Sequence, residues 1–247
     1  DMSYMVNNTI FNQSIGSWNV SNVKDMSYMF NNAIFNQSIA SWNVSNVKDM
    51  SYMFANNSMF SQNIGSWNVS KVTNMSHMFS GASRFNCNIY EWKVANVTDM
   101  SYMFYKASAF DGYVTSWNVS NVKDMQYMFA YTQNFDQSLS TWDVDNVTNM
   151  KGMFEGAQKF NNLNSDSLNT WNVSKVTDMS HMFYNATSYS KPSNDWRPTY
   201  ITNSKDCTRL SLMFNNTLLS CDNVKNMINS WGLKGVCTAS QLRSTCN

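Results

Sequence analysis

WNVSNVKDMSYMF, residues 42 to 54, decides how this chain folds, because the same line returns along almost the whole sequence. Tryptophan stands at Trp18, Trp42, Trp67, Trp92, Trp117, Trp142, Trp171 and Trp196, in steps of 24, 25, 25, 25, 25, 29 and 25 residues. Two places after the Trp there is always Val (Val20, Val44, Val69, Val94, Val119, Val144, Val173), and five places after it another (Val23 to Val176). The eighth and eleventh places are Met, as in Met50 and Met53, and the twelfth is Phe, as in Phe54. A fixed period of this kind is the mark of a stacked repeat, in which one unit cannot bury its own apolar residues and the neighbouring units cover them.

Two spacings coexist in each unit. Ile39, Trp42 and Val44 place the last two residues on one side of a short strand, since side chains alternate with period two. Met100, Met103, Phe104 and Ala107 follow at i, i+3, i+4 and i+7, one stripe of a helix. Asp or Asn always precedes the first Met (Asp25, Asp49, Asn74, Asp99, Asp124, Asn149, Asp178), and its side-chain oxygen suits an N-cap. The expectation is therefore an α/β coil. One short parallel strand at Ser17–Val20 and its equivalents, and one short helix, fill each turn of about 25 residues. The crossover between parallel strands makes the coil right-handed.

The units W-N-V-S-N-V-K-D-M-S-Y-M-F and F-N-Q-S-I-x-S-W (Trp42 to Phe54, Phe35 to Trp42) resemble the BspA-type repeats of the leucine-rich-repeat superfamily. These include 25-residue repeats first noted in Mycoplasma surface lipoproteins. The resemblance covers residues 1 to about 195. It implies a leucine-rich-repeat-like solenoid in a secreted or cell-surface protein, often an adhesin, with no catalytic residues to carry over. This sequence has Val47 where the leucine-rich class usually has Asn.

Composition narrows the function. The 247 residues carry only 13% charged side chains and a net charge of +1, with 43% hydrophobic and 15% aromatic residues. A near-neutral chain without a Lys/Arg cluster has no electrostatic footprint for nucleic acid. No window approaches the roughly 20 apolar residues of a membrane span. The sequence opens in mid-pattern at Asp1, so a targeting segment is expected to be removed or to lie outside it.

The expected domains are a repeat region, 1–195, with seven full coils and a partial N-terminal one, and an irregular C-terminal cap, 196–247. The unit from Trp142 is four residues longer, with the extra length in 161–168, a polar return loop where insertion is cheap. After Trp196 the register fails at Pro198, which cannot donate to a ladder. Four of the five cysteines lie in the cap, at Cys207, Cys221, Cys237 and Cys246, without metal-ligand spacing. Aligning Met213-Phe214 with Met182-Phe183 puts Cys207 at the fifth-place Val, while Cys237 lies one place beyond Val236. Adjacent coils bring such positions within disulfide range. The expected pairs are Cys207 with Cys237 and, by elimination, Cys221 with Cys246. Cys87 stands where other units have Gln, as a tolerated thiol or an intermolecular bridge.

No catalytic, metal or cofactor site is expected. The methionines are explained as core beside Phe. His77 and His181 replace tyrosines of the repeat, and the recurring Asp residues cap. No nucleophile elbow or phosphate loop is present. What remains is surface. With Trp and Val inward, the outward positions are Ser41, Asn43, Ser45; Ser66, Asn68, Ser70; Glu91, Lys93, Ala95; Ser116, Asn118, Ser120; Thr141, Asp143, Asp145. This hydroxyl and amide ladder suits a protein or polysaccharide, and the units with Glu91 and Lys93, and with Asp143 and Asp145, depart from it. The expected function is an extracellular or cell-surface adhesion and binding module. The alternative is a structural subunit of an extracellular, glycosylated fibre that binds copies of itself. Asn-x-Ser/Thr recurs throughout. Asn7, Asn56, Asn185 and Asn215, at the solvent end of the expected helix, are the candidate N-glycosylation sites, because glycans on the crowded Asn19, Asn43 and Asn68 would collide.

Overall fold

The computed structural model describes residues 1–246. The repeats do stack, but not as strand and helix. Among the described residues there is no sheet: the parallel contacts between successive units are isolated bridges at the Asx before the first Met, from Asp25↔Asp49 through to Asn149↔Asp178. The only α-helices among the described residues are in the C-terminal region, α1 at Cys221–Ser230 and α2 at Ala239–Leu242. The expected α/β leucine-rich-repeat-like solenoid, with one strand and one helix per coil, is overturned by these elements.

Each coil is instead built from tight turns. In the Met segment, Met53 N–H donates to the Met50 carbonyl, Ala55 to Tyr52 and Asn57 to Phe54, all at i−3. The alternate N–H groups cross to the next coil: Tyr52 to Ser76 (2.9 Å), Phe54 to Met78 (2.9 Å), Asn56 to Ser80 (2.6 Å). Tyr52 and Asn56 hold φ of 56° and 54°, the left-handed conformation found at the third residue of type II turns. A helix of two turns would leave most of its N–H and C=O groups without a partner at its ends and is too short to persist alone. Stacked turns give those groups partners one coil away while still facing Met50, Met53 and Phe54 inward.

The Trp segment fails as a strand for a related reason. Asn43 Oδ1 accepts from the Ser45 N–H at 3.2 Å, and Val47 N–H closes back on the Val44 carbonyl. This Asx turn bends the chain directly after the Trp. The alternation survives without a strand, since Trp42 and Val44 are buried and Asn43 is exposed. The Asx before the first Met acts in the same way: Asp49 Oδ1 accepts from Ser51 N–H at 2.8 Å, starting a turn rather than capping a helix.

The core is a set of aromatic columns. Phe30, Phe54, Phe79, Phe104, Phe129, Phe154, Phe183 and Phe214 stack with centroids 5.4–5.8 Å apart. A second column from Phe60 to Tyr189 interleaves with it, as in Phe54 over Phe60 at 3.8 Å. The indole N–H of most of the Trp residues reaches back to a carbonyl of the preceding coil: Trp67 to Ile39, Trp92 to Ile64 and Trp117 to Ile89, at 3.1–3.2 Å.

The stacked pairing runs on past residue 196. Phe183 N–H donates to Met213, and Trp231 stacks on Trp196 at 6.3 Å. The last coil then donates from Leu212 to Gln241 and from Phe214 to Leu242, where α2 closes the stack. Disulfides join Cys207 to Cys237 (Cα–Cα 5.7 Å), the pair expected from the register, and Cys221 to Cys246 (5.3 Å), the pair expected by elimination.

The Asx column holds carboxylates against one another. Asp99 and Asp124 are bridge partners, and burial first, then the Asp99 charge, pushes Asp124 above the usual carboxylate range. A carboxyl raised in the folded state opposes folding, and its cost is absent in acid, grows as pH rises from the unfolded value and is complete above the folded one. Asn fills the same place at Asn74 and Asn149 with the same acceptor geometry. Asp124→Asn should therefore raise stability at neutral pH and change little in acid. Because the group is half-exposed and screened, the gain is below about 1 kcal/mol. Thermal melts at pH 7 and pH 3 that show equal shifts would contradict this.

Candidate functional site

The outward residues of the Trp segments form one face. Ser41, Asn43, Ser66, Asn68, Glu91, Lys93, Ser116, Asn118, Thr141, Asp143 and Asp145 are exposed, and Ser45, Ser70 and Ser120 are half-buried. This face is more tightly tied than a free ladder. Asn68 Oδ1 accepts from Ser70 N–H, Asn118 from Ser120 and Asp143 from Asp145, at 3.0–3.1 Å. The hydroxyl before four of the Trp residues donates to a carbonyl one coil back: Ser41 to Gly16, Ser66 to Ala40, Ser116 to Tyr90 and Thr141 to Thr115.

Glu91 interrupts that rail, because a carboxylate has no proton to give to the Gly65 carbonyl. At this interruption lies a cavity of about 680 Å³, lined by Asn63, Gly65, Ser66, Trp67, Asn68, Ser70, Asn88, Glu91 and Lys93. Short side chains on one coil abut the long Glu91 and Lys93 of the next, and that step in length makes the hollow. Gly65 is required here, since a Cβ would meet the Asn88 carbonyl oxygen at 2.3 Å. A second hollow of about 320 Å³ opens at Thr115, Ser116, Trp117, Asn118, Thr141 and Asp143, at the next charged departure from the repeat. Both volumes fall at or above the lower end of the range of small-ligand sites.

Cys87 lies beneath the larger cavity. Its sulfur accepts from Ile64 N–H at 3.4 Å and faces Asn63 Oδ1 at 3.3 Å, and burial pushes the thiol up. A buried, protonated thiol is inert, which disfavours the intermolecular bridge. His77 stacks between Tyr52 and Tyr102 at 4.2 and 4.4 Å, with burial pushing it down; it serves as an aromatic ring in a tyrosine column. His181 Nδ1 lies 3.5 Å from Glu155 Oε2, while Tyr131 donates to Glu155 Oε1 at 2.5 Å. The repeat gave no sign of that buried carboxylate. Among the described residues no group of three or more His, Cys, Asp or Glu is placed to hold a metal.

The candidate glycosylation sites divide. Asn56 is exposed, and Asn7 and Asn185 are half-buried. Asn215 is 8% exposed, and its Oδ1 accepts from the backbone and hydroxyl of Ser244. The chain after α2 covers it, so Asn215 is corrected to a buried structural amide. The helix end on which the four were placed does not exist.

Residues 1–116 and 109–231 match the family described as Mycoplasma protein of unknown function, DUF285. The chain belongs to this family. The match runs through Trp196 to Trp231, the stretch over which this DUF285 chain keeps its coil pairing although the Trp-Asn-Val line is lost. No curated protein and no solved structure gives a significant match.

Proposed function

We propose that this DUF285 chain is an extracellular, surface-associated binding module that engages a polymer through its Trp-Asn-Val face. The cavity at Glu91 and Lys93 carries the reading. It lies where the repeat is broken, and a repeat that served only to stack has no need of that break. Two disulfides fit an oxidising compartment, and among the described residues no helix is long and apolar enough to cross a membrane. The BspA-like resemblance of the repeat agrees with a surface location and a role in adhesion without catalysis.

A fibre of end-to-end copies is the weaker reading. Coil stacking runs from N–H groups of one coil to carbonyls of the next, and the final donors at Leu212 and Phe214 are already taken by Gln241 and Leu242. Two of the cross-coil donors at the C-terminal end are therefore not open to a following copy.

The test is an array of glycans and host-surface proteins probed with the intact protein and with E91A/K93A. Both side chains are exposed, so the variant should melt with the parent. Binding to the captured ligand should fall at least tenfold. Unchanged binding by the variant would overturn this use of the face.

A further inference from the structure

Resting on that reading, we infer that the ligand is an uncharged, linear polysaccharide lying along the stack, with Tyr90 and Tyr113 as the platforms on which its sugar rings sit. Most aromatic rings of the repeat are buried in columns, but Tyr90 is 43% and Tyr113 59% exposed. Neither is called for by the repeat. The place of Tyr90 is otherwise Gly16, Ala40, Gly65, Thr115 or Ser140, and that of Tyr113 is Ser14, Ser38, Asn63, Asn88 or Ser138. Large apolar rings have been put on the surface at slots filled elsewhere by small or polar residues.

Neither tyrosine lines a hollow itself, but each lies within two residues of ones that do. Tyr90 lies between Asn88 and Glu91, which line the larger one, and its carbonyl accepts from Ser116, which lines the smaller. Tyr113 is one coil beyond Asn88 in register and two residues before Thr115. Successive coils are bridge partners, so hollow, tyrosines and second hollow succeed one another along the stack axis. The C–H face of a pyranose packs on a phenol ring, while its hydroxyls accept hydrogen bonds from amides and donate to carboxylates at the ring edge. Here those are Asn68, Glu91 and Asp143.

A peptide fits less well. Backbone recognition of a peptide needs a strand edge, and the backbone N–H groups of Ser70, Ser120 and Asp145 are bonded within Asx turns. An anionic polymer lying across the two hollows would meet Glu91 and Asp143 that line them, with Lys93 the one cation in their walls.

Affinity electrophoresis of the intact protein through gels holding dextran, hydroxyethylcellulose, a β-1,3-glucan, galactomannan or heparin tests the inference. At least one neutral polymer should retard the protein. Y90A/Y113A should weaken that retardation at least tenfold with an unchanged melting temperature, and Y90F/Y113F should keep it. Retardation by heparin alone, by no polymer, or by a neutral polymer with Y90A/Y113A unaffected would overturn the inference. If E91A/K93A still abolishes capture of a protein ligand on the array, the face stands and only the sugar assignment falls. If neither variant changes any binding, both fall.

Discussion

Trp92→Ala should cost about 3–5 kcal/mol, the range for emptying a large core site, whereas Ser116→Ala, exposed, should stay within about 0.5 kcal/mol. Trp92 is buried, stacks on Trp117 at 6.4 Å and tilts against Phe79 at 6.3 Å. Truncation leaves a void in the column and strands the Ile64 carbonyl that the indole N–H satisfies. In a stack each coil rests on its neighbours alone. A void in a middle coil should therefore uncouple the two halves, and calorimetry should show a broadened or split transition. A finer test separates ring from hydrogen bond. Trp92→Phe loses both some volume and a bond worth about 1 kcal/mol. Trp171 Nε1, directly after the lengthened unit, is buried without a partner, so Trp171→Phe should be milder by about that amount. Equal costs for the two Phe variants would contradict the assigned role of the indole N–H.

How far the sequence was legible depends on which question is asked of it. The facing of residues follows from period alone, and Trp42, Val44, Val47, Met50, Met53 and Phe54 are all buried. The backbone that produces the facing does not follow, because i, i+3, i+4 spacing is met by a helix and by overlapping turns alike. The discriminating residues were present. Gly152 and Gly156 stand four apart in the lengthened unit, at φ of 57° and 64°, in the slots of Tyr52 and Asn56. A helix has no use for glycine at that interval, whereas left-handed turn positions favour it. Asn recurs at the second slot, at Asn8, Asn32, Asn56 and Asn185, for the same reason. The candidate face was visible as exposed polar residues and two charged departures. The hollows were not, since they depend on Gly65 allowing the Asn88 carbonyl to approach and on Glu91 breaking a hydroxyl rail. That rail exists only once coils are set side by side. Tyr90 and Tyr113 stand out only when exposure is known.

Removing the buried disulfide as C207S/C237S should cost about 3–4 kcal/mol, the loop-closure value for roughly 30 residues. Its effect should be concentrated at the closed end of the stack. Cys207 sits in the short 3-10 turn Asp206–Leu210, directly before the last coil, and Cys237 lies between α1 and α2. The bond thus holds α2 where its Gln241 and Leu242 carbonyls accept from Leu212 and Phe214. With α2 released, those N–H groups and the Phe214 ring become an open edge, the kind of surface that pairs with other chains. Hydrogen exchange should show loss of protection at Leu212 and Phe214 before any loss at Phe104, and light scattering should detect concentration-dependent association. Cys221 is half-exposed while Cys207 is fully buried, so graded reductant should open Cys221–Cys246 first in peptide maps. A C207S/C237S protein that stays monomeric with full protection at Phe214 would show that packing of Trp231 on Trp196 closes the stack without the covalent tie.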